Sequence, residues 1–121
     1  MTAIKEYSTN QENKLLIQNQ CPVTFTLEKI GGRWKPLILF ELRNGAVRYG
    51  GLKRSIPGIT EKMLIQHLRE LEADQLLHRE VRPVVPPHVE YSLTTAGKSL
   101  MPLLNEMAAW GLKQRGLQME N

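Results

Sequence analysis

The hydrophobic period of this chain changes once, and that change limits the fold more than any other feature. As far as Leu76-Leu77 the apolar residues recur at steps of three and four, and after it the period falls to two, with Val89, Tyr91 and Leu93 at every second position. The first spacing is that of helices with one buried side, the second that of half-buried strands. The clearest helical stripe is Leu64, Leu68 and Leu71 in a helix predicted from about Thr60 to Asp74, with Thr60 as its N-cap. Opposite that stripe on a helical wheel lie Lys62, Gln66, Arg69 and Ala73. The helix before it, roughly Tyr49 to Ser55, turns Tyr49, Leu52 and Ile56 inward and leaves Arg48, Lys53 and Arg54 toward water. Pro57-Gly58 joins the two by a tight turn.

The remaining elements follow from local signals. Cys21-Pro22 opens a helix with Phe25, Leu27 and Ile30 on its apolar side, and Gly31-Gly32 ends it. A helix from near Pro36 through Leu42 is apolar almost all round, which predicts a central buried position before Asn44-Gly45 stops it. Val89, Tyr91 and Leu93 alternate with His88, Glu90 and Ser92, and Val81-Arg82 begins a partner strand. Pro83 to Pro87 is a stiff tip that no central strand tolerates. Thr94 or Thr95 caps a last helix, about 94–115, with Leu100, Leu103, Leu104, Met107, Ala108 and Trp110 on a wide apolar face. The fold class is mostly α with a small β-hairpin wing (α+β). The expected organisation is a flexible polar arm over 1–14 and one domain over 15–121, with a short amphipathic segment at Leu15, Leu16 and Ile17.

Several functions are excluded early. One cysteine permits no internal disulfide framework and no Cys-rich zinc module. The longest apolar run, Leu37 to Phe40, is far short of a membrane span, and Met1 to Lys14 has no signal-peptide core, so a cytoplasmic protein is expected. His67, His78 and His88 lack the short spacing of metal pairs, Gly31-Gly32-Arg33 is too short for a phosphate loop, and no serine has a Gly-x-Ser-x-Gly setting. Neither catalysis, metal nor cofactor is expected.

Charge and topology together point to double-stranded DNA. The net charge is +4, and from Lys29 to Arg82 eleven basic residues face six acidic ones, so the excess lies mid-chain. Two helices on a Pro-Gly turn followed by a hairpin make a winged helix-turn-helix. A major groove about 12 Å wide admits one helix, where Arg or Lys reaches guanine and Gln reaches adenine. The reading places Thr60, Lys62, Gln66 and Arg69 in the groove, Arg48, Lys53 and Arg54 on phosphates, and Arg82 and His88 at the wing. The rival class is a winged helix used as a protein-interaction module, for which the basic face would be unimportant.

The stretches Cys21-Pro22-Val23, Ile30-Gly31-Gly32-Arg33-Trp34-Lys35, Arg48-Tyr49-Gly50-Gly51-Leu52, Ile56-Pro57-Gly58-Ile59-Thr60, Lys62-Met63-Leu64, Leu68-Arg69-Glu70-Leu71-Glu72-Ala73-Asp74, Val85-Pro86-Pro87-His88-Val89-Glu90-Tyr91-Ser92-Leu93-Thr94 and Gly97-Lys98-Ser99-Leu100 resemble the HxlR-type winged-helix regulators of bacteria. The resemblance runs from about Gln20 to Gly111. It implies a homodimeric, cytoplasmic DNA-binding transcription regulator whose terminal helices form the dimer and whose fourth helix reads the major groove. The chain departs from the family at Gln75, where glycine usually follows the aspartate, and at Thr95-Ala96, where acidic or aromatic residues are commoner.

The last helix also argues for a dimer independently. Leu100, Leu103 and Leu104 suffice to dock it, leaving Met107, Trp110 and Leu112 without an evident partner, and Leu16 joins them as an interface candidate. A two-fold pair would set its groove helices about 34 Å apart and require a palindromic operator. Cys21 has two readings. At a helix start, free N–H groups and the helix dipole favour a thiolate, and in some members of the resembling family a cysteine here senses oxidants, quinones or aldehydes. Alternatively it is a small buried residue packed at the helix start, and control lies with a small-molecule effector near the dimer helices or is absent.

Overall fold

The computed structural model describes residues 21–120, with side chains described through residue 117. The polar arm over 1–14 and the segment holding Leu16 lie outside the described residues. The described residues up to Gly32 and those from Arg33 onward fall into two compact units. In the first, α1 (Pro22–Ile30) starts with proline at its first position, where a missing N–H costs nothing, and Cys21 is its N-cap. The Phe25 N–H donates to the Cys21 carbonyl at 3.1 Å, and the Gly31 N–H closes the far end on the Leu27 carbonyl at 2.7 Å. Ile30 is buried, whereas Val23, Phe25 and Leu27 are exposed.

The second unit runs α2 (Trp34–Glu41), β1 (Val47–Arg48), α3 (Tyr49–Ser55), α4 (Glu61–Ala73), β2 (Leu77–Arg82), β3 (His88–Leu93), α5 (Thr95–Lys98) and α6 (Met101–Glu120). Its core is the α4 stripe Leu64, Leu68 and Leu71 together with Ile38, Leu39 and Leu42 from α2 and its C-cap, Leu52 of α3, and Ile56 and Ile59 of the turn. Truncating one of the three α4 leucines to alanine is worth about 2–5 kcal/mol in a site this enclosed. Leu37 stays exposed, so α2 is central but not buried all round. In the α3–α4 turn, Gly58 takes φ +85, a left-handed conformation that side chains resist.

The sheet has three strands, not the two of a simple hairpin. Its order is β1-β3-β2, antiparallel throughout, with Val47 opposite Tyr91 and Arg48 opposite Glu90. A two-residue strand is too short to show alternation, which is why Val47-Arg48 could not be read from spacing. β2 begins at Leu77, and only that residue of the strand is buried. Arg79, between Leu77 and Val81 on one strand face, hides the apolar alternation. The last helix is likewise two helices. Pro102 has no N–H to donate to the Lys98 carbonyl, so α5 stops and α6 restarts beside it.

The exit from α4 ties the helical and sheet halves of this unit together. The Leu76 N–H donates to Leu71 O at 3.0 Å and the Gln75 N–H to Glu72 O at 2.9 Å, the two bonds of a Schellman cap. The Thr94 hydroxyl donates to the Gln75 carbonyl at 2.7 Å while accepting from the Gly97 N–H at 3.0 Å. Gly97 is required here, because a Cβ would collide with the Leu76 carbonyl oxygen. Gln75 itself sits at φ +59, the only non-glycine residue with positive φ among the described residues. Relieving that conformation is worth about 1 kcal/mol. Gln75→Gly is therefore expected to raise the thermal midpoint by several degrees and Gln75→Ala to leave it unchanged or lower, as read by circular dichroism.

Candidate nucleic-acid interface

Burial of the α4 leucines dictates what its other side offers. The Thr60 Oγ1 accepts from the Met63 N–H at 3.1 Å, which fixes the first turn and leaves the hydroxyl hydrogen free to donate. Thr60, Lys62, Gln66, Arg69 and Ala73 are all exposed. Lys62 and Arg69 have no ion pair among the described residues, and the same holds for Arg48 on β1 and for Lys53 and Arg54 on α3. Cations without an ion-pair partner suit a polyanion, because each phosphate neutralised releases counterions.

Gln66 is held in place. Its Nε2 donates to Glu70 Oε1 at 3.2 Å, and Glu70 Oε2 lies 2.7 Å from Lys35 Nζ on α2. The Lys35 ammonium, then the Gln66 amide, hold the Glu70 carboxyl below its usual range.

The wing is electrostatically different from α4. Antiparallel register puts Glu80, Arg82, His88 and Glu90 on one face of the hairpin. Arg82 Nε donates to Glu90 Oε2 at 3.0 Å, its Nη2 lies 3.7 Å from Glu80, and His88 Nε2 lies 3.4 Å from Glu90 Oε1. Arg82 depresses the Glu90 carboxyl and Glu90 raises the guanidinium in turn. Both residues expected at the wing are there, and the Arg82 guanidinium is paired with carboxylates within the hairpin. The tip beyond them, Pro83 to Pro87, is exposed, with Val85 fully so.

Sequence reasoning missed Arg79. It stands opposite Tyr91 on the other sheet face and lines a cleft of about 500 Å³ with Tyr49, Glu61, Ile65, Arg69, Glu72 and Tyr91. Arg69 thus borders both the cleft and the exposed side of α4. The Tyr49 hydroxyl is buried without a hydrogen-bond partner among the described residues, and burial, then Glu61, pushes its pKa up. The one signal for Arg79 was its parity with Leu77 in β2.

The other predicted sites fall elsewhere. Cys21 is exposed at the N-cap of α1. Met107, Trp110 and Leu112 are exposed on α6, Trp110 at 69%, and Leu103, expected to dock, is exposed with them. Among the described residues no cluster of His, Cys, Asp or Glu has metal-binding geometry, and no helix is long and apolar enough to cross a membrane.

An N-capped helix braced across a tight turn by a second helix, flanked by a three-stranded wing, defines a winged helix-turn-helix protein. The family model described as HxlR-like helix-turn-helix matches residues 29–119. The chain belongs to that family and is a DNA-binding transcriptional regulator of helix-turn-helix type. It is 46% identical over 106 residues to the HTH-type transcriptional regulator YybR of Bacillus subtilis, covering 86% of this chain and 85% of YybR. Among solved structures, the reduced form of the redox regulator HypR superposes with a TM-score of 0.77 at 44% identity, covering 84% of this chain and all of that one. The reduced transcriptional regulator YodB of B. subtilis superposes at 0.67 with 37% identity, covering 75% and 90%.

The pairing of Arg82 has a measurable consequence. Glu90→Gln should release Arg82 and steepen the dependence of log K on log salt by about one, with tighter binding to any duplex at low salt. An unchanged slope in a fluorescence-anisotropy titration would show that Arg82 stays out of reach of the phosphates.

Proposed function

We propose that the chain acts as a homodimer on a palindromic operator. In this reading Thr60, Lys62, Gln66 and Arg69 enter the major groove, and Arg48, Lys53 and Arg54 anchor α3 and β1 on phosphates. The observation that carries it is the set of cations on β1, α3 and α4 without an ion pair among the described residues, together with the exposed Gln66, in a fold whose relatives are transcription regulators. The exposed residues Leu103, Met107, Trp110 and Leu112 support a second copy packed along α6. Arg82 and His88 shape the wing.

The test is a salt titration on a duplex selected from a random pool, beside a scrambled duplex of equal length. Arg69→Ala should cost about 1–3 kcal/mol on the selected duplex alone, whereas Lys53→Ala should weaken both and flatten the slope by about one. Sedimentation should give two chains per palindrome. Equal affinity for selected and scrambled duplexes would sink the specific-reader claim.

Control is proposed to run through Cys21. Its exposure and the likeness to a protein described as a redox regulator favour this. With one cysteine per chain, oxidation joins two Cys21 thiols of a dimer, or one with a small thiol, the two protons and two electrons passing to the oxidant. Cys21→Ser should abolish the response of DNA binding to diamide and leave basal binding intact. A mutant that responds like its parent would shift control to a second reading, a small ligand. The cleft beside Arg69, with the unpartnered Tyr49 hydroxyl, favours that alternative.

A further inference from the structure

We infer that Lys35, on α2, sets the base preference of Gln66 by way of Glu70. This rests on the proposed reading of α4 as the groove helix. A carboxylate only accepts hydrogen bonds, so the amide edge turned to Glu70 Oε1 must be the Nε2 edge, 3.2 Å away. One N–H of Gln66 is thereby consumed, and Oε1 with the second N–H remains as an acceptor–donor pair. That pair complements the N6–H₂ donor and N7 acceptor of adenine in the major groove. Without an anchor the amide could turn end for end and present its groups in either order.

Glu70 orients Gln66 only if it is itself fixed. Its other oxygen lies 2.7 Å from Lys35 Nζ, and His67 Nδ1 stands 3.7 Å away. The Lys35 side chain is 13% exposed against 42% for Glu70, so the ammonium is fastened on the scaffold side and the carboxylate reaches out from it. Lys35 also neutralises a carboxylate that would otherwise repel phosphates beside the groove helix. It is a positioning residue, acting on bases it does not touch.

The test is selection of duplexes from a random pool by the full chain and its variants, read as base preference at each position, with a scrambled duplex reporting non-specific affinity. The wild type should favour adenine at one position per half-site by at least about fivefold, and Gln66→Ala should erase that preference. Lys35→Met and Glu70→Ala change the local charge in opposite directions, so non-specific affinity should fall in the first and rise in the second. Both should nonetheless reduce the adenine preference to twofold or less, which a purely electrostatic role would not do. Lys35→Arg should keep it. If Lys35→Met does not fold by circular dichroism, Glu70→Ala and Lys35→Arg decide the matter. Loss of the preference in Gln66→Ala but retention in Glu70→Ala overturns the relay while leaving the groove reading intact. A Gln66→Ala profile identical to wild type overturns the assignment of Gln66 to the groove, and the relay falls with it.

Discussion

The burial of Leu64, Leu68 and Leu71 is the constraint on which the rest depends. Three leucines on one stripe leave α4 a single rotational setting, since turning it would trade fully buried leucines for Lys62 or Gln66. Everything that α4 shows to the outside is therefore decided by what it hides. The Thr60 cap fixes where the helix begins, the Schellman cap at Gln75 fixes where it ends, and the Thr94 hydroxyl carries that end to the start of α5. A helix pinned at both ends and along one side is what groove reading needs, because bidentate contacts to base edges tolerate little rotation.

Within that frame, charge is divided unequally. Arg82 and His88 are drawn into Glu90, whereas Lys62 and Arg69 have no such partner. The wing is thus paired at its base through Arg82 and apolar at its tip, beside a helix whose cations have no ion pair among the described residues. Pro83 to Pro87 offer a stiff surface with little side-chain entropy to lose on contact. The wing is suited to shape and close packing, and α4 to charge and hydrogen bonding.

Much of this was legible in the sequence, for physical reasons that differ by element. The α4 stripe was plain because its period is long and its caps are local: Thr60 and the Pro57-Gly58 turn need only their neighbours to act. The partner strand β1 was hidden because two residues carry no period, and its pairing with β3 is set by tertiary packing. The break before Pro102 was written in the sequence, and the apolar run around it obscured the signal. For the site, the exposed set on α4 follows from the buried one. The pairing of Arg82 with Glu90 depends on strand register, and the arrival of Arg79 beside Arg69 on the packing of the sheet against α4. Neither can be read from spacing alone. Gln75 stood out as a departure from the family pattern, and the structure supplies its meaning, a left-handed position held by a residue that pays for it.

Arg69 links recognition to the proposed alternative mode of control. It borders the exposed side of α4 and also lines the cleft with Arg79, Tyr49 and Tyr91. A guanidinium can lie against a base edge or against a group seated in that cleft, but not both, so an occupant there and a specific duplex would compete for one side chain. Gln66 is placed differently, since its amide is fastened to Glu70 and thence to Lys35 on α2. The two residues proposed for the groove thus differ in kind. One is fixed by the scaffold and insensitive to what fills the cleft, and the other stands where a ligand would reach it. In that reading an occupant of the cleft would withdraw the contact proposed for Arg69 while leaving in place the one proposed for Gln66.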